Sequence, residues 1–214
     1  MQKMTKSISV LALVFMLICG SLSAQQRWGL SASYNRVMPQ GGLAERFLPL
    51  NSYRVGTILE IDDPLTVAIN FENYHFKEIN TSEMVYDDLK LDLQLWGLGS
   101  VFRYYPVAQP LWNFIDPYLA AGVGIYYWKH QIGEYTVLVD QTDLTIGRLV
   151  REEFTWAFEA QSGVDFQIFG RLHLDAGLIY KLIPISLWPT SRLHLEDVNG
   201  LHLLQAKVGC TYVF

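Results

Sequence analysis

Residues 153–168 read Glu-Phe-Thr-Trp-Ala-Phe-Glu-Ala-Gln-Ser-Gly-Val-Asp-Phe-Gln-Ile. Phe154, Trp156, Phe158, Ala160, Val164, Phe166 and Ile168 share one parity. Thr155, Glu159, Gln161, Gly163, Asp165 and Gln167 take the other. Period two puts alternate residues on opposite faces of a strand, and a run this long is too regular for a helix.

The same alternation recurs on both sides of this segment. It predicts strands from Trp28 to about residue 35, and near 52–61, 65–75, 89–105, 117–128, 171–183 and 201–214. With 153–168 that makes eight. Asp62-Asp63-Pro64 marks a turn. In the fourth strand Leu89, Leu91, Leu93 and Leu95 begin the apolar face, whereas Trp96, Leu98, Phe102 and Tyr104 continue it. That change of parity predicts a bulge at Gly97. The connections 37–51, 76–88, 129–152 and 184–200 are long, 62–64 and 169–170 are short, and 106–116 is intermediate. Long and short connections alternate this way in up-and-down barrels that cross an outer membrane.

Composition agrees. Hydrophobic residues make up 50% of the 214, aromatics 14% and charged residues only 17%. About 25% charged is usual for a soluble domain. Residues 1–24 read as a secretory leader, with Lys3 and Lys6, an apolar stretch over 8–18, and Ser21-Leu22-Ser23-Ala24 as the cleavage site. Cys19 follows Ile18 rather than the small residue of an acylated leader. Residues 25–214 then form the barrel domain. Removing two lysines and no acid from a formal charge of −5 leaves −7, which excludes a phosphate-tracking nucleic-acid binder. Only Cys210 remains, so no intramolecular disulfide can form. No run of 18 apolar residues follows the leader, so no membrane-spanning helix is expected.

Alternation does not say which face is inside. The polar face is mostly Gly, Ser, Ala, Thr, Asn and Gln, poor in the Lys and Glu of a water-washed exterior. Its charges have both signs: Arg54, Glu60, Glu72, Lys90, Asp92, Arg103, Glu159, Asp165, Asp175, Lys181 and Lys207. Buried charges persist when paired, so these are expected to form a network in the lumen. Trp28, Tyr34, Tyr53, Tyr104, Tyr127, Trp156, Tyr180, Tyr212 and Phe214 lie near strand ends, where aromatic girdles form. The reading is an all-β, closed antiparallel transmembrane barrel with apolar side chains outward.

Residues 102–106, Phe-Arg-Tyr-Tyr-Pro, and 116–128, Asp-Pro-Tyr-Leu-Ala-Ala-Gly-Val-Gly-Ile-Tyr-Tyr-Trp, resemble the central hairpin of small outer-membrane barrels of the OmpX and OmpW kind. The ending Val208-Gly209-Cys210-Thr211-Tyr212-Val213-Phe214 resembles their last strand. The long connections follow strands one, three, five and seven, so with an even strand count both termini are expected in the periplasm. The resemblance implies a Gram-negative outer-membrane location. It also implies contact with outer-membrane lipid and lipopolysaccharide, and a monomer. Tyr212 and Phe214 would be the signal read by the barrel-assembly machinery. No catalytic residue transfers with it.

The residues themselves offer little chemistry. A lipid A deacylase needs His and Ser two apart on one strand face. None of His75, His130, His173, His194 or His202 has a serine two positions on. His173 with Asp175 reads as a luminal pair. Asp62-Asp63 reads as a turn and Asp87-Asp88 as a solvated loop, not as an omptin-type acid pair. The early strand at Trp28 leaves no room for the leading helix of a palmitoyl transferase. There is no metal-ligand spacing, and Glu78, Glu83, Asp87 and Asp88 read as solvated loop acids. No cofactor motif is present. Three roles fit. The first is a non-enzymatic barrel acting through loops and a lumen too narrow for a large pore. The second is passage of small hydrophobic compounds, with Leu43, Phe47, Leu48, Leu187 and Trp188 at a loop mouth. The third is an accessory barrel of a secretion or assembly machine, where residues 135–140 extend a hairpin and offer a strand edge.

Overall fold

The computed structural model describes residues 27–62, 64–80, 90–106, 114–139, 142–187 and 198–214. The expected leader, Glu83, Asp87, Asp88, Trp188 and His194 lie outside them. The elements are β1 (Trp28–Gln40), α1 (Gly42–Arg46), β2 (Leu50–Asp62), β3 (Leu65–Phe76), β4 (Leu91–Tyr104) and β5 (Ile115–Ile132). There follow β6 (Tyr135–Val139), β7 (Thr142–Ile146), β8 (Leu149–Phe169), β9 (Leu172–Leu187) and β10 (Val198–Val213). Eight strands close a barrel in the order β1-β2-β3-β4-β5-β8-β9-β10, every pair antiparallel. β1 and β10 seal it over the register Gly29–Val213 to Gln40–His202. Closure pairs the backbone without a free edge, which the apolar interior of a bilayer demands. β6 and β7 form a separate two-stranded sheet between β5 and β8.

Short connections and both ends of β1 and β10 nearest the chain termini share one rim, here the turn end. The other rim is the loop end. Between them the exterior carries an apolar belt with two aromatic girdles. At the turn end Trp28 stacks on Phe214 at 4.2 Å and Tyr212 meets Phe214 edge-on. Toward the loop end Tyr34 meets Tyr53, and Tyr127 contacts both Trp96 and Phe154. On β4 the girdles are marked by Tyr104 and Trp96, eight residues apart on the outer face. Eight residues of tilted strand give an apolar belt roughly 20 Å tall, enough to cross a thin outer membrane.

β4 corrects the expected bulge. Its ladders with β3 and β5 run through Gly97 without a register shift. Leu91, Leu93 and Leu95 therefore point inward and are buried, while Trp96, Leu98, Phe102 and Tyr104 point outward. The change of parity marks a change of solvent. Above the upper girdle the outward positions become polar: Asn73 and His75, Gln94 and Asp92, Lys129 and Gln131, Ser186 and His202. The inward ones become apolar. Val37, Phe76, Leu93, Leu95, Trp128, Ile183, Ile185, Leu187, Leu201 and Leu203 form one buried cluster. Leu43 of α1 and Phe47 just after it cap this cluster from the loop end. The barrel is thus inverted inside the belt and ordinary above it. For this reason the strands extend farther than the outward apolar pattern suggests. β5 runs on to Ile132 and β8 starts at Leu149, inside what the sequence reads as one long loop.

Gly97 has another task. It pairs directly with Tyr126, and a Cβ on it would collide with the Tyr126 ring. The missing side chain lets that ring lie across the lumen. Gly163 does the same for Tyr118, its partner across the β5–β8 ladder.

Candidate functional site

The lumen holds two stacked layers of charge. β2, β3, β8 and β9 each bring one residue to the inner layer at the same height: Arg54, Glu72, Glu159 and Lys181. Arg54 Nη2 lies 3.0 Å from Glu72 Oε2 and 2.9 Å from Glu159 Oε2. Lys181 Nζ contacts Glu72 Oε1 and lies 3.0 Å from Glu159 Oε2. Each cation thus serves both carboxylates, closing a four-cornered ring. Tyr74 and Tyr126 donate their hydroxyls to Glu72, and Gln161 donates to Glu159 at 2.7 Å. The Lys181 ammonium also sits over the rings of Tyr126, at 5.0 Å, and Tyr74, at 5.6 Å.

The second layer lies nearer the turn end. Arg103 Nη2 reaches Asp175 Oδ2 at 3.2 Å, and Lys207 Nζ binds the same carboxylate. Tyr118 donates to Asp175 Oδ1 at 2.8 Å and accepts from Lys207 at 2.9 Å. Tyr105 donates to Asp165 Oδ2 at 2.9 Å, with the Arg103 guanidinium 4.0 Å from that oxygen. Each layer balances two cations against two carboxylates. Paired in this way the charges tolerate burial, although the cost of desolvating them offsets much of their mutual attraction. Between the layers lies a cavity of about 10 Å³ bordered by Ser33, Arg54, Asn70, Arg103 and Asp175. That is room for roughly one water.

Eight of the charges expected in the lumen stand in these two layers. Two do not. Asp92 is on the outer face of β4, where its carboxylate lies 3.0 Å from His75 Nε2 above the belt. The slip that the change of parity predicts in β4 puts it inside. Glu60 keeps the inward parity but sits half-buried near the turn end, outside both layers. Lys90 precedes β4 and is exposed. The tyrosines that complete the layers, Tyr74, Tyr105, Tyr118 and Tyr126, were not singled out by charge. Parity already placed Tyr118 and Tyr126 on the polar face.

The residues proposed for a loop mouth are brought together, but as packing. Leu43, Phe47 and Leu187 are all buried in the apolar cluster, while Leu48 is exposed. Trp188 lies outside the described residues. His173 and Asp175 both face the lumen, but Asp175 is already held by Arg103, Tyr118 and Lys207. No group of three or more metal-ligating side chains occurs among the described residues.

No family model matches the chain, and no curated protein matches it. Solved structures do. Neisserial surface protein A (NspA) is 15% identical and aligns with a TM-score of 0.53 over 87% of this chain and 97% of its own. Ail, the attachment invasion locus protein of Yersinia pestis, is 14% identical, with a TM-score of 0.46 over 88% and 97%. The N-terminal β-barrel domain of Pseudomonas aeruginosa OprF is 12% identical, with a TM-score of 0.44 over 87% and 97%. At such identity the likeness to the neisserial protein is one of fold.

Proposed function

We propose that this eight-stranded transmembrane barrel resides in the bacterial outer membrane as a closed, non-enzymatic protein that meets other molecules through its loop end. One observation carries the reading: the lumen is filled along its length. Two neutral layers of paired charge block the membrane-embedded part, and an apolar core capped by α1 blocks the part above. Polar solutes would have to break buried ion pairs and then cross an apolar plug. Either step is costly in a low-dielectric interior. Passage of hydrophobic compounds is the weaker reading, because Leu43, Phe47 and Leu187 are spent on packing.

The loop end is the natural working face. Above the upper girdle the strands continue for roughly 12 Å before the loops begin, judging from the five residues of β5 beyond Tyr127. The β6–β7 hairpin is inserted between β5 and β8 at that end. A periplasmic position for the turn end and both termini, a monomeric state and a surround of lipid and lipopolysaccharide complete the proposal.

Planar bilayers provide the test. The refolded chain should give no conductance steps of the size seen with sixteen-stranded porins, whose lumen is an aqueous channel. Steady porin-sized openings would overturn the closed-lumen reading.

A further inference from the structure

The apolar belt is not equally tall all round the barrel. The strands of a closed barrel tilt together, so the outward apolar run of each strand measures the belt at that strand. On β1 the run goes from Trp28 to Tyr34 and on β3 from Leu65 to Phe71, six residues along each. On β2, between them, it covers eight, from Tyr53 to Ile61. Across the barrel it covers twelve on β8, from Phe154 to Phe166, with Ser162 the one polar residue in it. It covers twelve on β9 as well, from Leu172 to Pro184. In the strand order β8 is opposite β2 and β9 opposite β3. At about 2.5 Å of height per tilted residue the belt is about 15 Å tall at β1 and β3 but about 30 Å at β8 and β9.

Polar residues end the short runs. The next outward positions are Arg36 on β1, Asn51 on β2 and Asn73 on β3. Arg36 Nη1 donates to Asn51 Oδ1 at 2.9 Å, and Asn73 Nδ2 donates to the Leu95 carbonyl at 3.1 Å. The first contact uses one of the five guanidinium N–H groups. A cation facing hydrocarbon is costly, and asparagine is too short to snorkel out of it. Leu65 and Leu172 each open a strand just after a short turn, so the two flanks start at the same rim. The difference in height therefore falls at the loop end.

Leaning does not even out the flanks. Six residues of strand reach only about 20 Å even when upright, short of the roughly 25 Å apolar band of outer-membrane barrels. Setting β1 and β3 upright would lean the barrel by their whole inclination of roughly 40°. The same lean would lay β8 and β9 nearly flat in the membrane.

We propose that the barrel thins the bilayer along its β1–β3 flank. Headgroups of the loop-side leaflet descend there to Arg36, Asn51 and Asn73, and stand at full height against β8 and β9. The partner of this surface is the lipid bilayer, which meets a short apolar wall by thinning. Arg36 then reaches the phosphate layer that its charge requires. The inference rests on the barrel spanning a bilayer and is independent of whether its lumen is closed.

Nitroxide labels provide the test, since a water-soluble nickel chelate reaches them only outside the hydrocarbon. The full chain carries Cys210→Ser and sits in phosphatidylcholine nanodiscs, which open both membrane faces to the chelate. Asn73 stands eight residues above Leu65 on β3, and Tyr180 eight above Leu172 on β9. Labels on Leu65→Cys, Asn73→Cys and Leu172→Cys should be open to nickel, and one on Tyr180→Cys shielded. Equal shielding at 73 and 180 would mean a level bilayer with polar residues immersed, and the proposal fails. Access at 73 with shielding at 65 would mean a lifted or leaning barrel in a bilayer of even thickness, which also overturns it. Access at 180 would mean thinning all round and sink the difference between flanks.

A second measurement needs no label. Arg36→Leu with Asn73→Leu lengthens the short runs on the outer face and leaves the lumen untouched. In phosphatidylcholine vesicles of stepped acyl-chain length, this variant should unfold most slowly in longer-chain lipid than the unsubstituted chain does. An unmoved optimum would count against thinning even if the labelled chains fold badly. Bilayer conductance reports on the lumen alone, so failure here leaves the closed-lumen reading to its own test.

Discussion

Glu72→Gln is expected to destabilise the barrel by about 3 kcal/mol, the scale for removing one partner from a buried ion-pair network. The side chain keeps its shape, so the loss is one of charge. Glu72 accepts from Arg54 at 3.0 Å through Nη2 and at 3.3 Å through Nε, and from Lys181, Tyr74 and Tyr126. Once it is neutral, Arg54 and Lys181 share only Glu159, leaving two cations against one carboxylate at side-chain exposures of 1–7%. Lys181→Met in the same chain should restore the balance, because Arg54 and Glu159 then form a simple pair. The double variant should lose less than the sum of the two single ones, by about 1–3 kcal/mol for groups in direct contact. Urea unfolding of barrels refolded in vesicles measures all four corners of this cycle. A Glu72→Gln cost near zero with additive double-mutant behaviour would mean the ring is hydrated in the membrane, and the lumen could not be the closed plug described here.

The sequence makes the membrane-embedded half legible for a physical reason. A strand between lipid and a polar lumen must alternate, and β8 does so from Phe154 to Phe166 with hardly a break. The charges of the lumen follow from the same parity. The half above the belt is harder. There water replaces lipid outside and packed side chains replace the polar lumen, so the apolar parity inverts while the chain runs straight on. In β4 that inversion falls between Leu95 and Trp96 and imitates a one-residue slip. For this reason alone the alternation assigns Asp92 to the lumen, whereas it stands on the outer face. Gly97 compounds the error, because a glycine at a phase change reads as a bulge when it is a seat for Tyr126. Two apolar residues in the first long connection, Leu43 and Phe47, were legible as a cluster with Leu187 but not as its lid. Apolar residues that cap a core and those that line an open mouth have the same composition. The end of the β8–β9 ladder at Phe158–Leu182 lies in a single residue, Pro184, at a parity that only the pairing of β8 with β9 reveals.

The inversion of parity can be read out by substitutions at three positions on β4 and β5. Val123 faces outward and pairs with Ser100, midway between the girdle residues Trp96 and Tyr104. Val123→Arg should cost about 2–4 kcal/mol, the penalty for a cation on the lipid face near mid-membrane. Gln94 faces outward too, but above the belt, paired with Lys129. Gln94→Arg should therefore cost no more than about 1 kcal/mol, as expected near or beyond the interface. Leu93 is its immediate neighbour and fully buried. Leu93→Ala should cost about 2–5 kcal/mol through lost packing and the cavity left behind, as in a soluble core. A bulge at Gly97 makes the opposite forecast for the adjacent pair: Leu93 on the outside and cheap to truncate, Gln94 in the lumen and intolerant of a new cation. Equilibrium unfolding in vesicles of matched thickness separates the two. Swapped costs at 93 and 94 would reinstate the slip, dissolve the apolar core above the belt, and with it remove the plug that keeps the barrel closed.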